Sequence, residues 1–135
     1  MADLLADPDI DAVYNPLPNG MHAEWSIKAA DAKKHVLCEK PLAVTAAETE
    51  ELAKLSASRP KQAAGVNYNI RFYPISHEMR SRVAKGDIGK VLSVTGSYTQ
   101  DWLLQPTDYN WRVEPDGATN LRAIADIGTH WMDLA

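Results

Sequence analysis

The chain has 135 residues, enough for a core of its own, and its 45% hydrophobic and 24% charged residues place it with globular proteins rather than disordered segments. A net charge of -4, with no basic cluster beyond Lys33-Lys34, excludes a nucleic-acid or other polyanion-binding role, and no apolar run approaches the roughly 20 residues that span a bilayer. The single cysteine, Cys38, forbids an internal disulfide and suits a reducing, cytoplasmic setting.

Ala2 to Ala6 is helix-like. Ile10-Asp-Ala-Val-Tyr14 is a β-branched and aromatic run halted by Asn15-Pro16-Leu17-Pro18-Asn19-Gly20, which predicts a strand and then a loop. From Met21 to Ala32 the residues Met21, Trp25, Ala29 and Ala23, Ile27, Ala30 recur at helical spacing. His35 to Cys38 is a second short apolar run, closed by Pro41, so the order is β-loop-α-β, the parallel-sheet unit. Thr45-Ala-Ala-Glu48 has capping-box spacing and opens a helix that ends between Ser56 and Pro60. Gln62 to Val66 reads as a third strand, its small residues suited to close packing of a helix on the sheet.

The pattern changes after Asn67, where a domain boundary is expected: residues 1–66 form part of a parallel-sheet domain and 67–135 begin a second one. Pro74 starts a helix with Ile75, Met79 and Val83 on one face, closed by Gly86. Lys90 to Thr99 alternates apolar and polar residues and predicts a half-solvated strand of an open antiparallel sheet. Trp102 to Gly117 is rich in turn residues, and the last helix begins between Asp126 and Thr129. The fold class is therefore α/β, a parallel-sheet domain followed by the start of an α+β domain. With no C-cap signal behind Trp131 to Ala135, the chain reads as a piece of something longer.

Three residues stand out for chemistry. Lys40 follows a buried strand at its carboxyl end, where parallel α/β sheets bind ligands, and Pro41 restricts its backbone; a cis Lys40-Pro41 bond is expected. Asp126 and His130 stand four apart, on one face of a helix. Two other readings stay open: Asp126 caps the helix while His130 packs in an interface, or Asp126, His130 and His22 bind a metal, for which no zinc-type spacing speaks. Cys38 reads as a small buried strand residue, and Trp111-Arg112 as an aromatic and cation suited to a ligand.

Val13-Tyr-Asn-Pro-Leu-Pro-Asn19 with His22, His35-Val-Leu-Cys-Glu-Lys-Pro-Leu-Ala43, Gly65-Val-Asn67 with Arg71-Phe-Tyr-Pro74, and Asp126-Ile-Gly-Thr-His-Trp-Met-Asp133 resemble, in order and along the whole chain, the Gfo/Idh/MocA oxidoreductases. The resemblance implies a Rossmann domain followed by a mixed α/β domain with a large open sheet. It also implies NAD or NADP as cofactor, a sugar, cyclitol or related polyol as substrate, and a homo-oligomer in the full-length protein. By the same resemblance Lys40, Asp126 and His130 are catalytic, with Asp126 orienting His130. Leu17, Pro18, Asn19, His22, Glu39, Lys40 and Asn67 would line the nicotinamide ribose, and Trp111 and Arg112 would contact the cofactor; no metal is implied. The alternatives are a non-catalytic cofactor sensor on the same scaffold and a truncated, inactive product.

The chain departs from that family in lacking the G-x-G-x-x-G turn, the first strand and the ribose-reading acidic residue. It also carries Lys33 where glycine is usual after the helix, a strained choice if that position is left-handed.

Overall fold

The computed structural model describes residues 2–113 and 121–135. Three parallel strands, β1 (Ala12–Asn15), β2 (His35–Cys38) and β3 (Ala64–Val66), lie side by side in chain order. Asn15 pairs with Cys38 and Cys38 with Val66, so the three carboxyl ends are level. Parallel neighbours need a crossover, supplied here by α2 (His22–Asp31) and α3 (Ala46–Ser58); α1 (Ala2–Ala6) precedes β1. Helix α2 packs on β1 and β2 and against α3, and Val13, Asn15 and Cys38 are buried. Side chains alternate along a strand, so Tyr14 and Leu37 point to the other face and are exposed. The core is small: Ala23, Ala43 and Leu52, with Ile27 and Leu42 against them.

The helix ends follow local chemistry. Thr45 Oγ1 accepts from the Glu48 amide at 3.2 Å while Glu48 Oε2 accepts from the Thr45 amide at 3.0 Å, the expected capping box. Helix α2 ends with Lys33 at φ 63°, so this position is left-handed and holds a lysine. Lys34 is buried because its ammonium donates to the carbonyls of Asp7 and Ile10, both at 2.7 Å, fastening the segment before β1.

Several expectations are corrected. Met21 is exposed, and the polar Ser26 takes its place on the buried face of α2, where Asn15 Nδ2 donates to its hydroxyl at 3.2 Å. Among the described residues no helix packs onto the small residues of β3; Ala64 and Gly65 are exposed, and a cavity of about 270 Å³ lies beside them, bounded by Val36, Cys38, Leu52 and Leu55.

In the second half, α4 (Pro74–Lys85) has Pro at its start and Gly86 at φ 79° behind it, as expected, but Ile75, Met79 and Val83 face solvent. Residues 90–99 make no strand ladder among the described residues, and Leu92 is 85% exposed. A strand exists only through a partner that takes its amide and carbonyl groups, and none is paired with it here. The turn-rich stretch is described as far as Val113, whereas its last residues, 114–117, lie outside the described residues. The chain closes with a π turn at Ile124–Gly128 and α5 (Thr129–Leu134).

Candidate active site

The carboxyl ends of β1, β2 and β3 release the chain into three loops at one edge of the sheet, and the residues singled out from sequence gather there. Asn15, fully buried at the end of β1, shapes the first loop: its amide group donates to the His22 carbonyl at 3.2 Å and its Oδ1 accepts from the Leu17 amide at 3.4 Å. His22 then joins two loops, with Nδ1 2.6 Å from the Pro41 carbonyl and Nε2 2.6 Å from the Leu17 carbonyl. It is thereby a structural clasp behind Leu17, Pro18 and Asn19. Among the described residues no cluster of His, Cys, Asp and Glu is arranged to hold a metal ion.

After β2, the Lys40-Pro41 bond is cis. Glu39 is held on three sides: Tyr14 donates its hydroxyl to Oε1, Asn67 Nδ2 donates to the same oxygen at 2.6 Å, and the Lys40 amide donates to Oε2 at 3.2 Å. Burial pushes the Glu39 carboxyl up, but these hydrogen bonds and the Lys40 charge outweigh it and hold its pKa below the usual value. The same contact raises the Tyr14 phenol, since its proton bridges to a carboxylate. A carboxylate accepts at about four positions, so one of Glu39's remains for an outside donor.

Lys40 Nζ donates to the Asp126 carbonyl at 2.6 Å and to Asp126 Oδ1 at 2.9 Å, across 86 residues of sequence. Both side chains are largely buried, 16% and 20% exposed, so this pair is shielded from water. An ammonium has three protons, and two are engaged, which leaves one directed donor. Arg112, stacked on the Trp111 ring at 4.5 Å, brings its Nε within 3.6 Å of Asp126 Oδ1.

His130 is buried between two tyrosines. The Tyr68 ring meets it edge-on at 5.9 Å and Tyr98 lies tilted at 5.8 Å. Burial and the nearby Lys40 charge lower its pKa below 6.5, against the opposing pull of Asp126, Asp133 and Glu39, so the imidazole is neutral at pH 7. Its Nδ1 has no hydrogen-bond partner among the described residues. In particular, Asp126 influences His130 through charge and is hydrogen-bonded to Lys40 instead. Asp126 does not cap a helix either; it lies in the π turn, with no side-chain cap bond.

Cys38 is 1% exposed and burial raises its pKa, which fits a packing thiol. Three contributors lay beyond sequence reasoning: Tyr14, Tyr68 and Tyr98. Tyr14 belonged to a strand pattern, and only the alternation that turns it away from the core next to Glu39 could have flagged it.

Residues 1–68 match the model of the "Oxidoreductase family, NAD-binding Rossmann fold", and residues 76–135 match the "GFO/IDH/MocA C-terminal domain". The chain is similar to levoglucosan dehydrogenase of Pseudarthrobacter phenanthrenivorans, 39% identical over 134 residues that are 98% of this chain and 34% of that protein. It is also similar to D-xylose 1-dehydrogenase (NADP(+)) 2 of Haloferax volcanii, 39% identical over 136 residues, 97% of this chain and 36% of the relative. The structure of levoglucosan dehydrogenase in complex with NADH and levoglucosan superposes with a TM-score of 0.92 at 36% identity, covering 99% of this chain and 36% of that one. The chain thus spans about a third of the length of these relatives. With matches to both family models and relatives of this identity along nearly all of its length, the chain belongs to the Gfo/Idh/MocA oxidoreductase family.

Proposed function

We infer that this chain carries the catalytic segment of an NAD- or NADP-dependent dehydrogenase that interconverts a secondary alcohol of a sugar or related polyol and the corresponding ketone. The observation that carries the reading is the shielded Lys40–Asp126 pair beside a buried, neutral His130, at the carboxyl edge of a parallel sheet. The relatives' substrates, levoglucosan and D-xylose, support a sugar.

The donors and acceptors present suit the nicotinamide end of the cofactor. Glu39 has an acceptor position to spare for a ribose hydroxyl, Asn67 holds that carboxylate, and Leu17, Pro18 and Asn19 form the wall of the same edge, fastened from behind by His22. Arg112, stacked on Trp111, lies near Asp126. A glycine-rich pyrophosphate turn is absent from the sequence, so these residues grip one end of the dinucleotide only. When bound, the nicotinamide supplies a carbon that takes up or returns a hydrogen with its electron pair.

His130 acts as general base toward the substrate hydroxyl: its neutral imidazole takes the proton, and the charges of Asp126, Asp133 and Glu39 favour the imidazolium that results. Lys40 directs its free ammonium proton at the same substrate oxygen and stabilises the negative charge that develops there, while Asp126 keeps the ammonium in place. In the reverse direction His130 returns the proton. The organisation that accompanies this reading is a Rossmann part up to Val66 and a second domain from Asn67, associated as a homo-oligomer in the full-length protein.

The test is turnover in the full-length enzyme. Changing His130 to Ala is expected to cut turnover by about 100-fold or more with cofactor affinity retained, and Lys40→Met to do the same. Unchanged turnover in either variant overturns the assignment of that residue.

A further inference from the structure

The segment that carries His130 is held by two cations, Lys40 from the end of β2 and Arg71 from the turn after β3, whose partners stand on either side of His130 in the chain. Asp126 and Asp133 are seven residues apart, about two helical turns, so both carboxylates lie on the face that His130 shares. Lys40 holds the first. Arg71 holds the second through two parallel bonds, Nε to Oδ2 at 3.0 Å and Nη2 to Oδ1. Asp133 is the less exposed partner, its side chain 10% exposed against 53% for Arg71, so the guanidinium reaches inward from the surface to meet it.

The two ties have different consequences. Asp126 lies in the π turn, and its contact with Lys40 includes its own backbone carbonyl, so it fixes the start of the segment. Asp133 lies in α5 itself, one turn beyond His130. Arg71 lies in the 3₁₀ turn Asn69–Phe72, which begins directly after Tyr68, the ring that meets the imidazole edge-on at 5.9 Å. A slide or rotation of α5 against that turn would separate Tyr68 from His130 and break the fork at the same time, because both contacts join the same two elements. A two-point fork resists rotation as well as separation, which a single-point ion pair does not.

We propose that Arg71, through its two-point grip on Asp133, is a positioning residue for His130: it sets the register of α5 against Tyr68 and thereby the placement of the imidazole. The functional consequence rests on the reading of His130 as the proton-transfer group; the positioning does not.

The experiment is NMR on the labelled 135-residue chain, comparing the cross-relaxation between the His130 and Tyr68 rings with that between Ala23 and Leu52 in the core. In Arg71→Ala and in Asp133→Asn the ring signal is expected to fall at least twofold while the core signal holds. The double variant should lose no more than the single ones, since all remove one contact, and Arg71→Lys, which keeps the charge without the fork, should fall between wild type and Arg71→Ala. A ring signal unchanged in both single variants overturns the proposal. So does a parallel fall of both signals, which would make the pair a general stabiliser. The readout is independent of catalysis: full turnover in His130→Ala would remove the catalytic reading and leave this result standing, and the reverse holds equally.

Discussion

Replacing Lys33 by glycine is expected to stabilise the protein. At the end of α2 the Lys33 amide donates to the Ala30 carbonyl and the Lys34 amide to that of Ala29, both at 3.0 Å. The same pair of bonds closes α4, from Gly86 to Val83 at 3.1 Å and from Asp87 to Arg82 at 3.0 Å. Both are Schellman ends and both need a left-handed residue, φ 63° at Lys33 and 79° at Gly86. A residue with a Cβ costs about 1–2 kcal/mol in this conformation, and glycine's larger freedom in the unfolded chain takes back about 0.4–1 kcal/mol. The Lys33 ammonium makes no hydrogen bond or ion pair among the described residues that would offset the difference. Lys33→Gly should therefore gain about 0.5–1 kcal/mol, or roughly 2–5 °C in Tm for a chain of this size. Far-UV circular dichroism melts measure it, with Lys33→Ala as the control that removes the ammonium and keeps the strain, and Gly86→Ala as the converse, expected to lose about 1 kcal/mol. A Lys33→Gly melt no higher than wild type, beside a normal loss in Gly86→Ala, would refute the reasoning.

On the proposed role of His130 as general base, its lowered pKa predicts that oxidation by the full-length protein rises with pH along an acidic limb centred below 6.5, and a limb centred above 6.5 would contradict the burial argument. The same shift acts on stability: the neutral form is favoured in the fold, so this contribution is complete above about pH 6.5 and is lost as pH falls through the folded-state value, which a His130→Asn comparison in melts at pH 7 and pH 5 would reveal. Changing Tyr14 to Phe should let the Glu39 pKa rise and cost about 1 kcal/mol at pH 7, near the modest end of charged hydrogen bonds because Tyr14 is half-exposed. That cost should shrink as pH falls below 4.5 and through the lowered value at which folded Glu39 loses its charge; a cost that does not diminish at all from pH 7 into strong acid in urea titrations would show that the ring's packing, not its hydroxyl, matters.

The first half of the fold was legible because its signals are local. Pro16, Pro18 and Pro41 mark strand ends, Thr45 and Glu48 mark a helix start, and the alternation of short apolar runs with helical spacing admits little besides a parallel sheet. Residues 90–99 have an equally clear alternation and form no ladder among the described residues. The difference lies in what each pattern needs: β1, β2 and β3 find one another within 66 residues, whereas an amphipathic strand fixes only which face is to be buried and leaves the partner open.

Within the site, Lys40, Asp126 and His130 could be named from sequence, but their pairing could not. Spacing of four residues put Asp126 and His130 on one helix face, and the family resemblance made Asp126 the orienting partner of His130. The fold instead commits that carboxylate to Lys40, 86 residues away, and leaves the imidazole to be placed by Tyr68, Tyr98 and the α5 register. Division of labour follows from this. If Asp126 belongs to the lysine, its removal should release the ammonium first and reach His130 only through lost charge, so Asp126→Asn should impair stabilisation of the substrate oxygen more than it disturbs the imidazole. Arg71 and Asp133 differ from this arrangement: Asp133 reaches His130 by charge from one turn away, whereas Arg71, in the proposed role, would reach it only through the helix it helps to hold.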